Sequence, residues 1–107
     1  MSTHGGRQLD PVISTAAALP EVVQALTTTN AEIIVDGGIR RGTHVLAALA
    51  LGATAVFVGR PVLWALTVGG SDLVHRLLDD LTAELALAMT LAGAAGIADL
   101  APDLVAV

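Results

Sequence analysis

Residues 32–61 read EIIVDGGIRRGTHVLAALALGATAVFVGRP, and this stretch decides the fold class. Glu32–Val35 is a short run rich in β-branched residues that stops at Asp36-Gly37-Gly38, the pattern of a buried strand ending in a tight glycine loop. Thr43 stands where a helix cap belongs, Val45–Leu51 carries the helix and Gly52 closes it. Ala55–Val58 is then a second strand, ending at Gly59-Arg60-Pro61. Strands alternating with helices at such short spacing indicate parallel β/α units joined by right-handed crossovers.

On the N-terminal side, Ser2–Asp10 (STHGGRQLD) is polar and glycine-containing and is expected to be a loop. Ser14 or Thr15 can cap a helix through about Leu26, with Leu19, Val22, Val23 and Leu26 along one face. Pro20 inside that window allows a later start near Leu19, with the proline in the first turn. Thr27–Asn30 ends the helix. On the C-terminal side, Val62–Val68 is expected to be a short helix carrying Trp64, broken by Gly69-Gly70. Ser71 or Asp72 then caps a long helix, Leu73–Leu91, with Leu77, Leu81, Leu85 and Leu87 or Ala88 as its apolar stripe. Gly93–Gly96 is a turn, and Ala98–Leu100 forms one more helical turn.

Two parallel strands do not make a complete sheet, because parallel sheets are buried on both faces. The chain therefore reads as α/β, an interior cut through a larger β/α protein. Its 107 residues are 54% hydrophobic with only two aromatic side chains, so the core must be aliphatic, and disorder is excluded. The net charge is −5, Lys is absent, and the five arginines form no run, which argues against a nucleic-acid surface. The lack of Cys excludes disulfides and thiolate metal sites, and no metal site is expected. Apolar runs such as Val45–Leu51 fall far short of the ~20 residues that span a bilayer, so no membrane segment is expected. The first motif follows Met1 directly, so no signal peptide is expected, and the default location is cytoplasmic.

Three glycine-bearing loops can carry chemistry: His4-Gly5-Gly6-Arg7, Asp36-Gly37-Gly38-Ile39-Arg40-Arg41-Gly42 and Gly59-Arg60-Pro61. The last two follow neighbouring parallel strands, where β/α barrels place their active sites and bind phosphate. Glycines let backbone approach an anion, helix N-termini add N–H donors, and Arg40 and Arg60 supply charge-assisted contacts. Arg41 is expected to be the solvated one of the Arg40-Arg41 pair. Asp36 can contact a ligand or cap its own loop. In the first loop His4 can exchange a proton near neutral pH, and Arg7 can clamp a carboxylate through two parallel hydrogen bonds. Each element alone has a structural explanation; their order in one chain is far more specific.

That order, HGGRQLD, then ALPEVV, then DGGIRRGTHVLAALALGA, then VFVGRPVLWAL, closely resembles the FMN-dependent α-hydroxy-acid dehydrogenases and oxidases. That family includes glycolate and lactate oxidases, mandelate dehydrogenase and flavocytochrome b2. The resemblance covers Ser2 to about Leu100 and implies a TIM (β/α)8 barrel, here from the end of strand six through helix eight. It implies FMN as cofactor and oxidation of a small (S)-2-hydroxy acid to a 2-oxo acid. By the same resemblance His4 is the active-site base and Arg7 the partner of the substrate carboxylate. Ser2 contacts the flavin, while Asp36, Gly37, Gly38, Ile39, Arg40, Gly59 and Arg60 hold the cofactor and its phosphate.

Two small departures are Thr3, where the family has Asn, and Pro11-Val12-Ile13. A larger one is the absence of the family's Lys at the flavin, its aromatic and second Arg at the substrate, and the acidic partner of the His. Because such a barrel takes about 250 residues, residues 1–107 are expected to form one barrel domain truncated at its N-terminus. That chain would be inactive alone and prone to associate through its bare strand edge and apolar helix faces, and the full-length protein is expected to be a homo-oligomer. The alternatives are a non-catalytic flavin- or phosphate-binding relic, and another barrel with similar phosphate loops, such as an inosine-monophosphate-dehydrogenase-like protein. The HGGRQLD motif argues against the latter.

Overall fold

The computed structural model of the chain describes residues 1–106. Helix α1 (Thr15–Ala25) starts where Ser14 Oγ accepts the Ala17 N–H at 3.2 Å. The alternative start near Leu19 is therefore wrong, and Pro20 sits inside the helix. Its ring faces solvent, and the backbone bond it forgoes is the one to Ala16, itself exposed, so water can take that carbonyl. Leu19, beside it in sequence, is fully buried and anchors the helix. At the far end Thr27 and Thr29 Oγ1 donate back to the carbonyls of Gln24 (3.0 Å) and Leu26 (2.8 Å), which is how Thr27–Asn30 terminates the helix.

Strands β1 (Ile34–Val35) and β2 (Ala55–Val56) pair in parallel, Ile34 opposite Ala55 and Val35 opposite Val56. Both are shorter than the expected Glu32–Val35 and Ala55–Val58. Thr54 Oγ1 captures the Ile33 N–H at 3.0 Å and ends the regular ladder on one side. The last ladder bond on the other side is Phe57 N–H to the Val35 carbonyl, 2.9 Å. Met1 lies along the other edge of β1: its amino group donates to the Ile34 carbonyl, and its carbonyl accepts the Asp36 N–H. That is the spacing of a parallel pair, so the sheet order runs Met1, β1, β2.

Between the strands lies α2 (Gly42–Ala50). Thr43 does not cap it: the N-cap residue is Arg41, and no side chain within the helix serves. The cap arrives from a distant helix, where Glu84 Oε2 accepts the Gly42 N–H at 2.7 Å. This helix, α3 (Arg60–Leu91), runs from the end of β2 with Pro61 in its first turn. As expected it is broken at Gly69 (φ −145°, ψ 18°) and Gly70 (φ 64°, ψ −156°), the second of these a conformation essentially confined to glycine. Along its second half Leu81 is buried and Leu77, Leu85 and Ala88 are partly so, whereas Leu87 is 60% exposed; the stripe continues through Ala88. Single 3-10 turns follow at Ile97–Asp99, one residue earlier than expected, and at Pro102–Leu104.

The core is Leu19, Val35, Ile39, Ala48 and Ala53, ringed by Val23, Ile33, Val45, Leu51, Val56 and Val58. It fills the space between α1, the strands and α2. Phe57, Leu63, Trp64, Leu66 and Val68 remain exposed. The fold is thus a small parallel α/β unit with one well-formed aliphatic core. No helix among the described residues is long and apolar enough to cross a membrane.

Candidate functional site

The three glycine loops converge on one cleft of about 420 Å³ at the C-terminal ends of β1 and β2, a size suited to a small-molecule ligand. Its lining includes His4, Gly5 and Arg7 from the first loop, 36–40 from the second, and Gly59, Arg60 and Pro61 from the third. Within a chain of net charge −5, this cleft gathers three arginines (Arg7, Arg40, Arg60) around a single carboxylate, Asp36. The local balance favours an anion.

The first loop is a left-handed turn: His4, Gly5 and Gly6 all have positive φ (51°, 66° and 74°). Glycine takes this conformation freely, but His4 does so against steric resistance of about 1 kcal/mol. The turn is closed by Gly6 N–H to the Thr3 carbonyl at 3.0 Å and by the Ser2 hydroxyl, which accepts the His4 N–H at 3.0 Å. It folds the chain back so that Arg7 Nη1 stands 3.4 Å from His4 Nε2 and Gln8 Oε1 stands 2.8 Å from His4 Nδ1. Ser2 braces this turn and lines a separate shallow depression with Thr3, Gln8, Leu9 and Val12. It is the one expected site residue that the fold does not bring to the main cleft.

The second loop is pinned at its base. The Asp36 N–H goes to Met1, and the Asp36 carbonyl accepts Thr15 Oγ1–H from α1. Ile39 buries its side chain in the core, so its backbone is what it offers the cleft. Gly37 and Gly38 have φ of 100° and 80°; beyond Gly38 a β-carbon would meet nothing within 4 Å, so the backbone borders open space. His44, on the first turn of α2, brackets the loop: its Nδ1 lies 3.3 Å from the Arg40 N–H and 3.2 Å from the Gly38 carbonyl. One nitrogen accepts or donates, so each protonation state serves one of the two contacts.

The charged side chains are placed by neighbours. Arg40 lies over the Trp64 ring, 5.4 Å from its centroid. Arg60, at the start of α3, brings Nη2 to 3.2 Å from where a β-carbon on Gly5 would stand, so its guanidinium rests against the first loop. Arg41 lies outside the cleft and is the solvated one of the pair, as expected, with 69% of its side chain exposed; its Nε also meets Glu84 Oε1 at 3.4 Å. Sequence reasoning missed Gln8, His44, Phe57, Trp64 and Glu84. Only His44 left a local signal, four residues beyond Arg40 at a helix start.

The chain matches the family described as FMN-dependent dehydrogenase over residues 1–107. It is 52% identical to 2-hydroxyacid oxidase 2 of Rattus norvegicus, covering 98% of this chain and 30% of that protein. It is 51% identical to L-lactate oxidase of Nostoc sp., covering 94% of this chain and 27% of that protein. Among solved structures, mandelate oxidase with benzoyl-formic acid is similar at 48% identity and a TM-score of 0.88, over 94% of this chain and 30% of that one. A mutant flavocytochrome b2 with pyruvate bound is similar at 44% identity and a TM-score of 0.90, over 97% of this chain and 27% of that one. The chain therefore spans about 30% of the length of the curated relatives it matches.

Proposed function

The chain belongs to the FMN-dependent dehydrogenase family, and on that premise we propose that it supplies the phosphate grip and the proton acceptor of an enzyme oxidising (S)-2-hydroxy acids to 2-oxo acids. The observation that carries the reading is the convergence of His4, Arg7, Arg40 and Arg60 on one cleft. The order Met1, β1, β2 supports placing the chain at strands six, seven and eight of a (β/α)8 barrel, with α3 as the final helix.

The residues present fit FMN. Its phosphate is a compact anion, and the cleft offers two guanidinium groups, the first turn of α3 and a glycine backbone bordering open space at Gly38 and Gly59. When bound, the flavin accepts the two electrons that leave the substrate. Arg40 and Arg60 would hold the phosphate, with the backbone of Gly37, Gly38 and Gly59 beside it. Arg7 would fix the substrate carboxylate through paired hydrogen bonds and so orient the reacting carbon. His4 Nε2 would take the proton lost as the hydroxyl-bearing carbon becomes a carbonyl. Arg7 cannot donate to Nε2 while that nitrogen accepts a proton, so its engagement by a carboxylate also frees the base.

The phosphate grip is tested by comparing FMN with riboflavin, which lacks the phosphate. Binding of each is read from flavin fluorescence on titration with the chain. FMN should bind more tightly, and Arg40→Met or Arg60→Met should each remove about 1.5–3 kcal/mol, roughly 10–100-fold, from FMN alone. Equal affinity for the two flavins would overturn the assignment of the cleft.

A further inference from the structure

The second glycine loop separates two hollows. On one side lies the arginine-lined cleft; on the other, between α1 and α2, lies a hollow of about 230 Å³ bordered by Thr15, Leu19, Ala47 and Leu51. Gly37, Gly38 and Ile39 line both, whereas His44 lines only the second. From there its Nδ1 reaches the Gly38 carbonyl (3.2 Å) and the Arg40 N–H (3.3 Å), one on either side of Ile39. The Gly38 carbonyl and the Ile39 N–H belong to one planar trans peptide, so they point in opposite directions. A carbonyl held towards His44 therefore turns the Ile39 N–H to the cleft side, and that N–H has no acceptor among the described residues.

A neutral imidazole keeps its proton on either nitrogen, so Nδ1 can accept from Arg40 or donate to Gly38. A charged imidazole can only donate. We infer that His44 is a pH-responsive positioning residue of the anion grip: once protonated, it pins the Gly38 carbonyl away from the cleft and leaves the Ile39 N–H facing the anion. The inference rests on the reading of the cleft as a phosphate site. Charge strengthens the bond to Gly38, and Arg40 and His44 are both exposed, so water can take the N–H that is given up. The same proton places a positive charge behind the loop, opposite the anion. The N-terminus of α2 resists a cation at His44, and a bound anion offsets that resistance. Anion binding and protonation thus favour each other, and the grip tightens as pH falls. The charged groups around the ring are Asp36 and Arg40 in the loop, Arg41 with its partner Glu84 of α3, and Asp103 in the turn packed on α2. From α1 only Thr15, Ala16 and Leu19 reach the hollow, and none of them titrates. Among the described residues none of these carboxylates forms an ion pair with His44, so its proton is not committed to a neighbour.

Sulfate is the probe, because it stays doubly charged where the phosphate of FMN would itself titrate. Measurements near pH 5.5 and near pH 8.5 lie on either side of the range in which an imidazole changes charge. Binding is read from backbone amide shifts of the 15N-labelled full chain, with Ile39→Val identifying the Ile39 signal. Without sulfate, the Ile39 amide should shift in step with protonation of the His44 ring, and His44→Phe should lose that step. With sulfate, the parent should bind more tightly than His44→Phe by about three- to tenfold near pH 5.5, and by about twofold or less near pH 8.5. His4 titrates in both chains, so the ratio cancels it. His44→Asn, a neutral donor of similar reach, should restore the affinity near pH 8.5 but not the gain near pH 5.5. If His44→Phe fails to fold, the ratio of parent to His44→Asn carries the same pH comparison. Equal ratios at both pH values, or the same Ile39 step in His44→Phe, would overturn the inference. An Ile39 step that follows His44 without any sulfate binding would support the His44 device and count against the proposed function.

Discussion

Replacing Gly42 by Ala sets two familiar effects against each other, and the structure decides the sign. Gly42 opens α2 with its backbone against α3: a β-carbon there would lie 2.2 Å from Leu85 N, 2.4 Å from the Glu84 carbonyl carbon and 2.5 Å from Glu84 Cβ. Two of these are backbone atoms, so no rotamer change relieves them, and the helices must separate by about 1 Å to reach ordinary contact. That separation lengthens the 2.7 Å bond from the Gly42 N–H to Glu84. A hydrogen bond to a charged group contributes about 1.5–3 kcal/mol, and disturbing the packed interface costs about 1–3 more. Better helix propensity returns at most about 1 kcal/mol. The net expectation is a loss of about 1.5–5 kcal/mol. With a urea dependence of about 1.5 kcal/mol per M, the midpoint should fall by about 1–3 M. Unfolding followed by far-ultraviolet circular dichroism and by the single tryptophan, Trp64, measures it. Glu84→Ala should lose about 1.5–3 kcal/mol, and the double variant should be barely worse than Gly42→Ala, because both remove the same bond. An unchanged or raised midpoint for Gly42→Ala would show that propensity dominates and that the α2–α3 contact is not as close as described.

Gly70→Ala tests backbone strain without crowding: nothing lies within 4 Å of a β-carbon there, yet φ of 64° with ψ of −156° should cost about 1–3 kcal/mol in the same unfolding assay. His4→Gly should stabilise the chain by about 1 kcal/mol, since φ at this position is 51°, while removing the proton acceptor; a loss of stability would refute the strain argument. Trp64→Leu should weaken FMN binding two- to five-fold, the equivalent of an exposed cation–π contact of about 0.5–1 kcal/mol, with riboflavin unaffected. Flavin fluorescence titration distinguishes this from a general loss of affinity.

Much of the architecture was legible because its punctuation is local. The loops at Asp36-Gly37-Gly38 and Gly59-Arg60-Pro61, the stop at Gly52 and the break at Gly69-Gly70 are all written in residues that act where they stand. Strand order brought the second and third loops together, the family resemblance added the first, and only Ser2 failed to join them, because its hydroxyl is taken up by the turn beside it. Strand lengths were not legible, since a ladder extends only as far as its neighbour does, and Thr54 intervenes at Ile33. Nor was the cap of α2: Thr43 is the natural candidate by position, but the acceptor comes from Glu84, 42 residues away. Nothing in a local window distinguishes Glu84 from any other exposed carboxylate on a long helix.

The contact between Glu84 and Gly42 also makes the second half of α3 a gauge. From Gly70 to Glu84 the helix makes about four turns, and the carboxylate reaches α2 only at the angle that count of residues produces. Inserting or deleting one residue between 71 and 84 would rotate Glu84 by about 100° and carry it off the interface, although every loop of the cleft kept its own sequence. Substitutions along the exposed side of that segment should be absorbed freely, whereas changes in its length should loosen the arginine-bearing loop that opens α2. The spacing of the anion grip is thus recorded in the length of a helix segment that lines no part of the cleft.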